Sequence, residues 1–377
     1  MIRCSVNVNM LCANAPRAFK ARKLIHPHLA RPLSSTSSKP VKIVEVGPRD
    51  GLQNEKKHLK TELKVELIER LVNAGCRDVE SGSFVAPKWM ASTPELLTSL
   101  TLAQLREAHS SLSLPVLIPN SRGLDALYSL LDAHPSAAPP LTNEIAVFVG
   151  CTDGFSKANL NCTVSDSLAR LPSIIERAQG RNLRVRGYVS TVLGCPFDGE
   201  VKPESPAKVA KELLDMGVYE VSLGDTIGVG VPQGWEALVN ACEKLGVGAD
   251  RLAAHCHDTY GTAMASVLHC VKNLGISTVD SSISALGGCP YSPNSTGNVS
   301  TEDILYLLSC SDIPTSLIPK PMPSEQLIEE NETFRKLCET GEWISNELGR
   351  ENGSRVGKAW RGRRDRAEKE RAKAGSK

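Results

Sequence analysis

The sequence has no hydrophobic run near the ~20 residues of a membrane-spanning helix, so we expect no membrane partner. Its twelve cysteines include no C-x-x-C pair, which argues against paired-thiolate zinc modules, and the chain is too long for a small secreted disulfide scaffold. It contains no P-loop, and the glycines of 228–234 miss the spacing of a dinucleotide fingerprint. These absences disfavour membrane, disulfide-scaffold, ATP-dependent and NAD-dependent proteins.

Acidic residues are missing from the first 44 residues, which carry eight basic ones, while the last 28 carry eleven basic and four acidic residues. Of the 44 Lys+Arg and 42 Asp+Glu in the chain, 25 and 38 therefore fall in residues 45–349. The formal net charge of +2 is therefore the sum of an acidic central segment, 45–349, and two basic terminal segments.

The two basic ends lead to different expectations. Residues 1–38 bear arginine and serine but no acid, which predicts a transit peptide and a mitochondrial matrix location; a solvated disordered arm is the alternative. The basic tail, 350–377, is expected to be disordered or helical. Because it lacks an aromatic series on which bases could stack, we expect no nucleic-acid partner.

One unit recurs between residues 41 and 288, within a predicted domain over 40–312: a β-branched run, a polar or glycine-bearing loop, and a helical stretch. After the first run, leucines recur at helical spacing until Gly75, and Ser205 is expected to cap the helix before the sixth run. Eight such units predict an α/β fold, a TIM (β/α)8 barrel with a C-terminal helical extension over 313–349, rather than a doubly wound open sheet. The predicted strands are 41–47, 78–84, 115–120, 144–150, 183–190, 218–225, 252–258 and 278–288.

Polar residues collect at the predicted carboxyl ends of these strands, where TIM-barrel enzymes carry their chemistry. His255 and His257 are two apart on a strand, so both imidazoles leave the same face and can meet one ion. Asp50, after the first strand, and Asn298, after the last, could add oxygen ligands. Two imidazoles with two oxygens suit Mg²⁺, Mn²⁺ or Zn²⁺ in an open catalytic site.

Two cysteines share the local sequence Gly-Cys-Pro-aromatic, Cys195 after the fifth strand and Cys289 after the eighth. A thiol on a glycine-bearing loop near a cation could act as a base or nucleophile, or could simply pack. The residues alone leave both possibilities open for each cysteine.

Five segments together resemble the hydroxymethylglutaryl-CoA lyase family, part of a wider group of metal-dependent TIM-barrel lyases and acyl-CoA condensing enzymes. The resemblance covers about 41–310, and the Gly-Gly-Cys-Pro-Tyr loop distinguishes the lyases within the group. The segments are Val41–Glu55 with its Gly-Pro-Arg-Asp-Gly core, Arg186–Ser190, Ser222–Gly228, His255–Tyr260 and Gly287–Tyr291.

This resemblance implies cleavage of 3-hydroxy-3-methylglutaryl-CoA to acetoacetate and acetyl-CoA with Mg²⁺ or Mn²⁺, by a homodimer. The metal would be held by Asp50, His255, His257 and Asn298, and Cys289 would be the general acid/base. Further roles are implied for five residues: substrate binding for Arg49 and Arg186, catalysis for Arg49, and support of proton transfer or geometry for Asp225, Glu80 and Glu302.

The sequence departs from the family in the loop Ser292–Asn298, which has an added proline and fewer small residues, and in Glu80–Phe84. The first departure bears on loop movement and turnover. Alternatives are a related condensing enzyme of the homocitrate or citramalate synthase type, a lyase for a different 3-hydroxyacyl-CoA, and a non-catalytic binder using the basic tail.

Overall fold

A sheet of eight parallel strands forms the centre of the protein, in the order β1-β8-β7-β6-β5-β4-β3-β2. A computed structural model describes residues 39–53, 55, 57, 59–85, 92–288 and 297–375. The predicted transit segment 1–38 lies outside the described residues. The strands are β1 Lys42–Glu45, β2 Gly82–Ser83, β3 Val116–Leu117, β4 Glu144–Gly150, β5 Arg184–Ser190, β6 Glu220–Asp225, β7 Leu252–Cys256 and β8 Thr278–Ser281.

The sheet curls so that its two ends meet. Glu45 of β1 forms a parallel bridge with Val79, just before β2. The Glu45 amide donates to Asp78 O at 2.9 Å, and the Glu80 amide donates to Glu45 O at 2.9 Å. This pairing joins β1 to β2, and the TIM-barrel prediction is confirmed.

Helices follow the strands and cover the outside of the sheet. Several begin at a side-chain cap: Asn120 accepts from the Gly123 amide, and Thr163 and Asp166 form a capping box. The helices are α1 Thr61–Asn73, α2 Thr93–Leu97, α3 Leu100–Ala108, α4 Ser121–Ala133, α5 Asp153–Leu160, α6 Val164–Gly180, α7 Glu204–Asp215, α8 Pro232–Lys244, α9 Ala263–Lys272, α10 Thr301–Cys310, α11 Ser324–Glu330, α12 Glu332–Leu348 and α13 Arg355–Gly375.

One local prediction was wrong. Ser205 does not cap a helix, because α7 already begins at Glu204 and the Ser205 hydroxyl donates to Cys151 O at 2.9 Å. That acceptor lies 54 residues earlier in the chain, after β4, so the hydroxyl bonds to another loop and not to the first turn of α7.

The apolar core lies mainly between the strands and the surrounding helices, where Leu67 of α1, Leu213 of α7 and Trp235 of α8 are fully buried. A smaller cluster of Leu117, Ala146 and Tyr188, with Phe148 beside it, is separate from that layer. Among the described residues, no helix is both long and apolar enough to cross a membrane.

Candidate active site

The turn after β1 carries two of the predicted site residues. Residues Gly47–Gly51 form one π-helical turn, in which the Gly51 amide donates to Val46 O, five residues back, at 3.1 Å. This turn places Arg49 and Asp50 next to each other, with Arg49 Nη1 2.9 Å from Asp50 Oδ1. Arg49 is buried and Asp50 remains partly exposed, so the carboxylate is reachable from solvent.

The end of β7 brings the two histidines together, with ring centroids 5.4 Å apart. His257 forms an antiparallel bridge with Asn298. Asn298 in turn lies against Gly287, which has φ +118°, and a Cβ there would approach Asn298 Nδ2 to 2.7 Å. Glycine is therefore required at 287 both by its backbone angle and by the close amide.

Asp50, His255 and His257 form a cluster that could hold a metal ion, because one ligand atom from each lies within 4.8 Å of the others. Asn298 Nδ2 donates to Asp50 Oδ2 at 2.8 Å and to Leu286 O at 3.1 Å. Its amide nitrogen is thus committed, which leaves the amide oxygen as the atom able to bind a cation. The structure brings all four predicted ligands together.

The histidine environment suits a cation. Burial, with a smaller contribution from His255, lowers the pKa of His257 to about 4, so its imidazole is neutral at physiological pH. Among the described residues, no group hydrogen-bonds to the buried His257 Nδ1. A neutral imidazole with an unpartnered buried nitrogen is costly unless something binds it, and a divalent ion meets that need.

His255 has a different environment, because its Nδ1 lies 3.2 Å from Oδ2 of the buried Asp280. Burial lowers the pKa of His255, but the hydrogen bond and charge of Asp280 outweigh that effect and raise it. For Asp50, burial raises the pKa, and the charges of Arg49 and the two histidines outweigh this and lower it. Asp50 is therefore a carboxylate at neutral pH, as a metal ligand must be.

Arg49 is fixed by two further partners. Its Nη2 lies 2.6 Å from Glu80 Oε2, and its guanidinium carbon lies 5.3 Å from the centre of the Tyr188 ring. The Tyr188 hydroxyl lies 3.2 Å from the same Glu80 oxygen. The predicted residues Arg49, Asp50 and Glu80 thus form one chain of contacts that leads to the metal-ligand cluster.

The prediction that Arg186 binds substrate does not fit its geometry. Its side chain is 2% exposed, and all three guanidinium nitrogens donate to protein acceptors. Nε donates to Glu220 at 2.8 Å and Nη2 to Asp280 at 2.7 Å, while Nη1 donates to the Tyr188 hydroxyl at 2.8 Å. The guanidinium of Arg186 therefore stabilises buried groups inside the barrel and has no nitrogen without a protein acceptor.

Two other predicted carboxylates, Asp225 and Glu302, accept hydrogen bonds from loops at the carboxyl ends of β6 and β8. Asp225 accepts from the amides of Val229 and Gly230, and burial raises its pKa to about 6. Glu302 accepts from the Ser284 amide and the Ser300 hydroxyl, and burial raises its pKa to about 8. Through these bonds Glu302 organises the segment after β8 and the start of α10.

The two cysteines of the Gly-Cys-Pro loops can be compared only in part, because Cys289 lies outside the described residues. Cys195 is buried, and its sulfur accepts from the Thr152 hydroxyl at 3.0 Å and the Phe197 and Asp198 amides at 3.4 and 3.3 Å. These hydrogen bonds to its sulfur indicate that Cys195 stabilises the loop after β5.

Sequence reasoning did not single out Asp280. A signal was present, because an acidic residue inside a short buried strand needs a partner, and Asp280 shares its strand face with Thr278. The sequence pattern could not identify His255 as that partner, because the contact depends on the register between β7 and β8.

Comparison with known proteins agrees with the site. The HMGL-like family model matches residues 40–324. A mitochondrial hydroxymethylglutaryl-CoA lyase from Arabidopsis thaliana is 43% identical over 87% of this chain, which spans 64% of that relative's length. A 3-hydroxy-3-isohexenylglutaryl-CoA/hydroxymethylglutaryl-CoA lyase from Pseudomonas aeruginosa is 41% identical over 85% of this chain and 97% of its own.

A crystal structure of hydroxymethylglutaryl-CoA lyase from Pseudomonas aeruginosa superposes with a TM-score of 0.72 at 40% identity, covering 86% of this chain and 98% of that one. The fold, the family match and the Asp-His-His cluster agree with one another. The chain belongs to the HMGL-like family.

Proposed function

We propose that the chain is a metal-dependent carbon-carbon lyase that cleaves 3-hydroxy-3-methylglutaryl-CoA to acetoacetate and acetyl-CoA. The observation that carries this proposal is the Asp50, His255 and His257 cluster with Arg49 beside it. The names of relatives about 40% identical over most of the chain support the same reaction. These relatives are named as lyases, which does not favour the alternative of a related condensing enzyme.

Asp50, His255, His257 and Asn298 would hold the ion. Their two imidazoles and two oxygens suit a divalent cation, and the family resemblance favours Mg²⁺ or Mn²⁺ among those that fit. When bound, the ion lowers the pKa of the chelated C3 hydroxyl and polarises the substrate oxygens. The fit rests on the neutral His257 imidazole and its unpartnered buried nitrogen.

The protein's own groups then move the proton and stabilise charge. The Cys289 thiolate takes the proton of the C3 hydroxyl, and an electron pair of that hydroxyl oxygen forms the ketone carbonyl of acetoacetate as the C2–C3 bond breaks. The bond electrons pass to the acetyl-CoA enolate, and Cys289 returns the proton to C2. Arg49, held by Glu80, presents a fixed cation where the enolate charge grows. Asp225 and Glu302 support the geometry of the surrounding loops.

The decisive experiment is an acetoacetate-release assay on purified protein, stripped with a chelator and reloaded with Mg²⁺ or Mn²⁺ under reducing conditions. We expect no turnover by the stripped protein and recovery on reloading. Absence of cleavage by the metal-loaded, reduced protein would contradict the proposal. The same assay with 3-hydroxy-3-isohexenylglutaryl-CoA tests a second substrate, which the name of the Pseudomonas aeruginosa relative favours.

We also propose a mitochondrial matrix location and a homodimer. The acid-free stretch 1–38 and the mitochondrial relative support the location. Import of the full chain into isolated mitochondria, with loss of the first residues, would support it, and retention outside would contradict it. Light scattering after gel filtration measures the assembly: a mass near 81 kDa, about twice the 40.6 kDa chain, indicates a dimer.

A further inference from the structure

Asp280 of β8 lies directly beside His255 of β7. The two residues are register partners in the parallel β7/β8 pairing, so the ladder itself holds the carboxylate next to the imidazole. Asp280 Oδ2 lies 3.2 Å from His255 Nδ1, and the Asp280 side chain is 0% exposed. A buried carboxylate in this position accepts hydrogen bonds and offers none in return.

The other contacts of Asp280 keep it ionised. Arg186 donates from Nη2 to Oδ1 at 2.7 Å and from Nη1 to Oδ2 at 3.1 Å, and the Ser222 hydroxyl donates to Oδ2 at 2.7 Å. A carboxylate beside a guanidinium fork and a hydroxyl donor is stabilised in its charged form. His255 Nδ1 must therefore carry the hydrogen, which leaves the lone pair of the neutral ring on Nε2.

The free nitrogen is on the side where the ion would bind. His255 Nε2 lies 3.9 Å from Asp50 Oδ2, which is too long for a hydrogen bond and leaves space for a shared cation. Metal-binding histidines commonly donate their second nitrogen to a carboxylate, which fixes the ring and its tautomer.

We propose that Asp280 is a positioning residue of the metal site, fixing His255 in the tautomer and orientation that present Nε2 to the ion. The inference rests on the proposed metal-dependent function. It assigns Arg186 a role through Asp280 rather than on the substrate.

The same network reaches a second ligand of the ion. Its hydrogen bonds and ion pairs continue from the Asp280–Arg186 pair through a tyrosine and two further charged residues to Asp50. The sequence of contacts is Asp280, Arg186, Tyr188, Glu80, Arg49 and Asp50. Two metal ligands, Asp50 after β1 and His255 on β7, therefore share one polar network. A change at Asp280 acts on His255 directly and reaches Asp50 along this network only through four intermediates.

Glu220 provides a matched control. It is also a buried carboxylate paired with Arg186, and it is the register partner of Arg186 on β6. Its remaining side-chain contacts are Thr278 and Lys42, so among the described residues it does not hydrogen-bond to His255. Asp280→Asn and Glu220→Gln make the same chemical change on the two sides of one guanidinium.

The experiment measures Mn²⁺ affinity by electron paramagnetic resonance on full-length wild type and both variants, with thermal unfolding recorded alongside. We expect Asp280→Asn to weaken Mn²⁺ binding by about 10- to 100-fold, the range for such supporting residues, and Glu220→Gln to change it less than twofold. Equal affinities for all three proteins, or equal losses in both variants, would overturn the proposal and leave Asp280 as a charge partner of Arg186. If wild type binds no Mn²⁺, the proposed metal site fails as well, so the two failures are distinct.

A second measurement needs no folded Asp280 variant. Imidazole ¹⁵N resonances of the metal-free wild type, assigned with a His255→Gln variant, report which ring nitrogen carries hydrogen. We expect hydrogen on Nδ1 of His255, and addition of Zn²⁺ as a diamagnetic probe should shift Nε2. Hydrogen on Nε2 but not on Nδ1 in the metal-free protein would refute the positioning role.

Discussion

At the scale of single residues, the two Gly-Cys-Pro cysteines allow a matched pair of substitutions. Cys195 is buried and its sulfur accepts from the Thr152 hydroxyl and two backbone amides, so it is part of the architecture of its loop. The proposed mechanism gives proton transfer to Cys289.

We predict that Cys289→Ala lowers kcat by about 100-fold or more, the usual effect of losing a general acid/base, whereas Cys195→Ala lowers it less than tenfold. Steady-state acetoacetate release on both proteins measures this. Because each variant removes one thiol from the same local sequence, similar losses would show that Cys289 has no special role.

Residues also show how far the sequence could predict which side chains lie together. His255 and His257 were identified because strand parity places both on one face, and Asp50 and Asn298 because they follow the first and last strands. The role of Asp280 beside His255 and the pairing of Arg186 with Glu220 and Asp280 were not predicted. These contacts depend on the register between neighbouring strands, which a single sequence does not specify.

At the scale of elements, Glu45 joins three parts of the barrel. Its Oε1 accepts from the amides of Gly47 and Ile283 at 2.8 and 2.9 Å, and its Oε2 accepts from the Thr301 hydroxyl at 2.6 Å. It thereby links β1, the turn after β8 and the start of α10. Burial raises the pKa of Glu45 to about 7 from the ordinary 4.5.

We predict that Glu45→Gln flattens part of the pH dependence of stability. Between pH 4.5 and about 7 the unfolded chain has lost this proton while the folded chain keeps it, so the free energy of unfolding falls as pH rises. The contribution is up to about 3 kcal/mol, from about 1.4 kcal/mol per pKa unit. Denaturant unfolding of wild type and variant at several pH values measures it.

Glu62→Gln, on the exposed side of α1, is the matched control and should keep the wild-type slope. A Glu45→Gln protein with an unchanged slope would show that Glu45 does not hold a proton in the folded state over this range.

Elements were predicted well where they are long. β4, β5 and β6 lie within or match the predicted ranges, but only two residues of each of the predicted strands 78–84 and 115–120 form β2 and β3. Hydrophobic alternation marks a strand that could pair, and it does not show how many residues the neighbouring strand actually meets.

At the scale of the whole molecule, the proposed metal site draws on distant parts of the chain. Asp50 and Asn298 are 248 residues apart in sequence and 2.8 Å apart in space. An ion bound by both, and by the histidines of the β7 end, would hold the folded state against the unfolded one.

We therefore predict that Mn²⁺ stabilises the chelator-stripped protein by about 2.7 kcal/mol at a hundred times its Kd, which raises Tm by several degrees. Thermal unfolding with and without the ion measures the shift. His257→Ala should lose the shift and, by elemental analysis, the bound metal. An equal shift in wild type and His257→Ala would remove His257 from the ligand set.

The pairing of β1 with β8 also has a consequence for synthesis. Residues 42–45 leave the ribosome well before their partners in the sheet, 278–281, which follow more than 230 residues later. Closing a loop of that length is entropically slow, so the ring closes late. Asn298 emerges later still. A chain that stops before Asn298 therefore lacks one of the four proposed metal ligands.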